Sequence, residues 1–156
     1  MTTADMVSLT VRRRFAASAE RVFDAFLDTA MARMWMFTTP DTAISRCEID
    51  ARVGGRFTMI DHRPDGDIEH VGEYLVIDRP RRLVFTFAVP SLSPDYDRVE
   101  VDITPDGNGC VLTLTNVMTP EVHAEWGDKV REGWTMMIGT LTNLLDAEQE
   151  APAGKP

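Results

Sequence analysis

The stretch Lys129 to Asp146, KVREGWTMMIGTLTNLLD, places Val130, Trp134, Met137, Ile138, Leu141 and Leu145 at helical spacing. One apolar stripe therefore runs down its length. It follows about a hundred residues of short, alternating strand patterns, bounded by turn residues. A long amphipathic helix that arrives last must lay its stripe on something, and the preceding sheet is the only candidate. The order predicts an α+β protein in which a curved antiparallel sheet grips one helix. Such an arrangement can enclose a cavity.

Composition narrows the function classes. At 156 residues the chain has the length of one domain with a real core, and a single domain over 1–156 is expected. Hydrophobic residues make up 44% and charged residues 26%, an ordinary globular balance. A net charge of −9 argues against nucleic acid or an anionic membrane as the main partner. No apolar run approaches the ~20 residues of a membrane span, and MTTADMVSLTVRRRF lacks the apolar centre of a secretory signal. A cytoplasmic location is expected. Cys47 and Cys110 stand far apart and read as reduced thiols, and no Cys/His cluster has zinc spacing, so no metal or cofactor is expected.

Along the chain, Leu9 to Phe15 reads as a first strand. Ser18 caps a short helix with Val22, Phe23, Phe26 and Leu27 on its apolar face, ending near Asp28. A second short helix covers Ala30 to Met36, crowded with Met31, Met34, Trp35 and Met36 and followed by Phe37. These side chains either plug the core or line a pocket mouth. Strands are then expected over Ser45–Ala51, Arg56–His62, Ile68–Ile77, Arg82–Val89, Arg98–Thr104 and Cys110–Met118. Gly54-Gly55 marks a bulge or sharp bend, and Asp106-Gly107-Asn108-Gly109 marks a hairpin. The connections are too short for parallel crossovers, so the sheet is an antiparallel meander.

Thr119-Pro120-Glu121 opens the last helical region as cap, first-turn proline and acidic residue. Gly127 is expected to break it, leaving a turn before a helix from about Asp128 to Glu148. Gly133 and Gly139 are expected to allow close approach to the sheet. The core should span about 9–147, with residues 149–156 as a disordered tail. Strand parity then assigns the concave face. Phe57, Met59 and Asp61 share one side, as do Ile68, His70, Gly72, Tyr74 and Val76, then Phe85 with Phe87, Val99 with Val101 and Ile103, and Leu112, Leu114 and Asn116.

The order of strand, two short helices, six-stranded meander and long terminal helix resembles the START-like, helix-grip fold of the SRPBCC superfamily. Trp35, Val53-Gly54-Gly55-Arg56-Phe57, Gly72-Glu73-Tyr74, Pro80 with Leu83 to Phe87, and Gly133-Trp134 followed by Leu141 and Leu145 look like the family named after the heat shock protein 90 ATPase activator. The resemblance covers roughly residues 9 to 147. It implies a curved sheet of about seven strands around the C-terminal helix and a habit of binding small apolar molecules. It supplies no shared catalytic set to carry onto these positions.

Catalytic motifs are absent: there is no GxSxG, HExxH, GxxxxGK or strand-borne GxGxxG. His123 falls in the first turn of the last helical region, and His62 lies beside a turn on the outer side of its strand. His70 shares the expected cavity face with Tyr74, where a neutral imidazole could exchange a proton near neutral pH. Asp61, near the same wall, could be a buried acid with a raised pKa. Trp126 and Trp134, eight residues apart, read as core anchors.

Three functions follow as expectations. The first is a carrier of a small apolar, aromatic or lipid-like ligand. Its pocket is lined by Trp35, Phe57, Met59, His70, Tyr74, Phe85, Phe87, Leu114, Trp134 and Met137. The second is an enzyme resembling the superfamily's polyketide cyclases or dehydratases, with His70 and Tyr74 as acid/base and orienting groups. The third is a co-chaperone-like protein-binding module, with a homodimer as a further partner state implied by the resemblance.

Overall fold

Residues 6–150 are described by a computed structural model. β1 (Val7–Phe15) leads into two short helices, α1 (Ala19–Asp24) and α2 (Thr29–Trp35). Six strands follow: β2 (Ala43–Ile49), β3 (Arg56–His62), β4 (Ile68–Asp78), β5 (Arg82–Phe87), β6 (Asp97–Asp106) and β7 (Gly109–Met118). The chain ends in α3 (Pro120–Glu150). The strands form one sheet in the order β1-β7-β6-β5-β4-β3-β2, every neighbouring pair antiparallel. Only β1 is displaced from chain order, because it returns to pair with β7 once the meander is complete.

Local chemistry accounts for the boundaries. Ser18 Oγ accepts from the N–H of Arg21 and Asp28 Oδ1 from that of Ala30, so each short helix starts on a polar cap. Thr119 Oγ1 accepts from the N–H of Val122 and starts α3 in the same way. Gly54 takes a φ of 85° in the turn between β2 and β3, a left-handed conformation open to glycine at little cost. Gly72 answers to space: a Cβ there would fall 1.9 Å from the Thr86 carbonyl oxygen and 2.4 Å from the Phe57 ring. The bare backbone leaves room for that ring against β4.

Three sequence expectations are corrected. First, α3 is one 31-residue helix, and Gly127 does not break it. Gly127 is buried inside the helix, where the stripe continues backward through Val122 and Trp126 at four-residue spacing. The helix also includes residues 149 and 150, and the rest of the expected tail lies outside the described residues. Second, neither Gly133 nor Gly139 is needed for close approach, since a Cβ at either meets nothing within 4 Å. Third, a register shift between Tyr74 and Val76 turns Val76 outward and lets Ile77 reach the core instead. A β-bulge inverts parity for every residue beyond it.

The core fills the concave face. Phe57, Met59, Tyr74, Phe85, Val99, Val101, Leu112 and Leu114 from the sheet meet Trp134, Ile138, Leu141 and Leu145 of α3. Val22, Phe23, Phe26 and Trp35 close the side of the short helices, with the Trp35 indole donating to the Ala25 carbonyl oxygen. Cys47 and Cys110 are both free thiols.

Candidate functional site

The C-terminal half of α3 is packed shut against the sheet, but its N-terminal half is not. A cavity of about 270 Å³ survives there, between α3, the starts of β4 and β6, the end of β5 and the loop that follows it. α3 presents Val122, Trp126, Val130, Trp134 and Met137 to it. His70 of β4 and Phe87 of β5 form the opposite wall, Val89 and Leu92 of the 88–96 loop cover one side, and Asp97 opens β6. Exposed Leu92, Asp95 and Lys129 mark the mouth.

Phe37, just past α2, separates this cavity from the solid core. Its backbone φ of 57° is left-handed, which costs a non-glycine residue about 1–2 kcal/mol. The ring is held by what surrounds it. It stacks on Phe87 at 4.8 Å, on His70 at 4.7 Å and on Phe57 at 5.9 Å between centroids, and meets Trp134 edge-on at 5.6 Å. Its N–H donates to Met137 Sδ. Aromatic pairs at these separations add about 0.5–1.5 kcal/mol each beyond area burial, enough in sum to hold the strained backbone.

This wall decides which expected lining residues reach the cavity. His70, Phe87, Trp134 and Met137 border it. Trp35, Phe57, Met59, Tyr74, Phe85 and Leu114 do not: all six are essentially sealed in the packed core on the far side of Phe37. Parity placed them on the correct face of the sheet but could not say how far along it the hollow extends. Of the crowded Met31, Met34, Trp35, Met36 and Phe37, Phe37 alone lines it, and Met34 is exposed.

His70 and Tyr74 do not form a pair. Four residues of strand separate them by about 13 Å along β4, and the rings of Phe37 and Phe57 stand between. Burial raises the Tyr74 phenol well above its ordinary range, and nearby Cys47 and Asp50 add to the rise. Burial also pushes the His70 imidazole down to about 4, outweighing its hydrogen bond to Met59. The ring is therefore neutral at pH 7. Nδ1 lies 3.2 Å from the Met59 carbonyl oxygen and donates to it, which leaves Nε2 as an acceptor.

Asp61 is buried, yet its carboxylate is fully engaged. It accepts from Thr38 Oγ1 at 2.7 Å, from Thr42 Oγ1 at 3.0 Å and from Arg63 Nε at 2.5 Å. The group ties the 38–42 loop to β3, and through Thr38 it anchors the Phe37 wall. It is an anchor and not an acid presented to the cavity. His62 pairs with Asp67 at the surface and His123 is exposed.

A further polar group on the cavity wall is Asp97, which the strand expectation beginning at Arg98 left in a loop. Its Oδ2 accepts from Asn116 Nδ2 at 2.8 Å, and Asn116 Oδ1 accepts from Trp134 Nε1 at 3.0 Å. The three side chains form a buried relay from β6 through β7 to α3. Burial pushes the Asp97 carboxyl above its ordinary range, partly offset by Asn116 and reinforced by nearby Asp95. The signal was available: Asp97 has the parity of Val99, Val101 and Ile103, one step earlier. Among the described residues no cluster of three or more His, Cys, Asp or Glu could hold a metal ion, and no helix is long and apolar enough to cross a membrane.

A seven-stranded antiparallel sheet curved around one long terminal helix, with two short helices after the first strand, defines the helix-grip fold, which generally binds hydrophobic ligands. Residues 16–146 match the family described as Activator of Hsp90 ATPase homolog 1-like protein, and the chain belongs to it. Solved structures agree. Protein NE0264 from Nitrosomonas europaea is similar at 26% identity, with 92% of this chain and 96% of that one covered and a TM-score of 0.78. Ms6760 from Mycobacterium smegmatis is similar at 25% identity, with 90% and 92% covered and a TM-score of 0.77. An AHSA1-like protein from Aeromonas hydrophila, at 19% identity, 92% and 94% covered and a TM-score of 0.78, shares the fold. No curated protein gives a significant match.

Proposed function

We propose that the protein binds a small apolar ligand in the cavity between the N-terminal half of α3 and the sheet. The observation that carries this reading is the hollow itself. It is walled by Phe37, Phe87, Val130, Trp134 and Met137 and left unfilled in an otherwise packed core. An apolar cavity of about 150 Å³ already admits benzene, so one of about 270 Å³ suits a body roughly one ring larger. Small-molecule sites start at about 300 Å³, which makes a long acyl chain a poor fit. The acid/base reading loses its pair, because Tyr74 lies behind the Phe37 wall.

Gly133 lines the cavity, and a side chain there meets open space. Gly133→Leu should therefore fill the hollow from within while replacing a poor helix former by a good one. Calorimetric titration with 1-methylnaphthalene should show binding to the parent protein and none to the variant. Equal binding by both proteins, or by neither, would overturn the reading.

A further inference from the structure

The hollow is lined mainly by apolar side chains, and Asp97 is the buried carboxylate on its wall. Asp97 is 7% exposed and lines it, and only one of its two carboxylate oxygens has a donor among the described residues. Among those residues, no side-chain oxygen or nitrogen sealed from water lacks a partner. The free oxygen, Oδ1, is therefore open to the cavity. A buried carboxylate with an empty acceptor position costs free energy unless something supplies a donor.

The surrounding charges indicate what that donor is. The Arg63 guanidinium, on the cavity wall, donates through Nε to Asp61. The Lys129 ammonium sits at the mouth, 5.4 Å from the centre of the Trp126 ring. His70 is neutral and offers only an acceptor, and Asp95 adds a second negative charge beside Asp97. Asp97 and Asp95 thus place two carboxylates at the cavity beside a neutral acceptor, His70, while Arg63 is drawn to Asp61 and Lys129 stands at the mouth over Trp126. The Asn116–Trp134 relay, shared between sheet and helix, holds the Asp97 carboxylate in a fixed orientation.

We infer that Asp97 is a head-group site, and that the ligand is a small aromatic or aliphatic primary amine whose ammonium group meets Asp97 Oδ1 while its apolar body fills the hollow. This rests on the cavity being a ligand site. It adds the chemical class: amines are selected over neutral analogues, and acids are rejected because Asp97 repels a second carboxylate.

The test uses three probes with one body, 1-naphthylmethylamine, 1-methylnaphthalene and 1-naphthoate, titrated calorimetrically into the parent protein at neutral pH and low salt. A charge-assisted hydrogen bond in a desolvated site should make the amine about tenfold tighter than the methyl compound or better, with naphthoate the weakest. Asp97→Asn keeps an oxygen to accept from Asn116 and should erase the amine's advantage while leaving methylnaphthalene binding unchanged. The inference is overturned if methylnaphthalene or naphthoate matches the amine on the parent protein, whatever the variant does. An undiminished amine preference in folded Asp97→Asn also overturns it. If none of the three probes binds, the cavity reading itself has failed and the head-group site falls with it.

Discussion

His70 shows how burial converts an ordinary titrating side chain into a pH-dependent weakness. Unfolded, its imidazole takes a proton near 6.5; folded, desolvation holds it off until about 4. Between these values the unfolded chain binds more protons, so stability falls as pH drops through that window. At pH 4 the loss attributable to this ring is about 3 kcal/mol. Asp61 and Arg63, its charged neighbours, act in opposite directions. His70→Asn should flatten the decline between pH 7 and pH 4.5 in urea unfolding curves, and an unchanged slope would refute this account. Phe37 is the other decisive residue. Its left-handed backbone survives because four aromatic rings hold its side chain. Phe37→Ala should cost about 3–5 kcal/mol in the same assay and merge the cavity with space beside Phe57. A cost under 1 kcal/mol would mean that the ring is not a wall.

At the scale of the element, the glycines divide into those the fold requires and those it tolerates. Gly72 is required: with a Cβ 1.9 Å from the Thr86 carbonyl, Gly72→Ala must displace β5 or the Phe57 ring. It should destabilise by several kcal/mol, in the range of severe core disruption. Gly139 is tolerated, since a Cβ there meets nothing, and Gly139→Ala should stabilise by about 1 kcal/mol through helix propensity alone. Thermal unfolding of the two variants side by side checks both signs. Sequence reading separated these glycines poorly. Helix and strand periodicity report which face a residue takes, and a glycine has no side chain to report with. The same blindness made Gly127 look like a break, although Val122, Trp126, Val130 and Trp134 already marked a continuous stripe across it.

For the whole molecule, a ligand that needs the hollow binds the folded chain only. Its occupancy should raise the melting temperature in proportion to the logarithm of free ligand above Kd. The extra stability is about 2.7 kcal/mol at a hundredfold excess over Kd. The rise should vanish in Gly133→Leu, and a shift that persists there would place binding elsewhere. The antiparallel meander and the grip on α3 were legible, because apolar spacing and turn chemistry are local in the chain; the return of β1 to β7 was not. Of the residues expected to line a pocket, His70, Phe87, Trp134 and Met137 border the hollow.

The extent of the hollow was not legible. Phe57, Tyr74 and Phe85 share the parity of the cavity wall, yet they lie in solid core, because a single ring from outside the sheet, that of Phe37, closes the bowl across its middle. Asp97 is likewise an ordinary loop aspartate on paper. It becomes an oriented carboxylate on the cavity wall only when β7 brings Asn116 and α3 brings Trp134 to hold it. Periodicity states which way a side chain points. Whether space or another side chain awaits it is a property of distant segments meeting, and that was decided only when the chain folded.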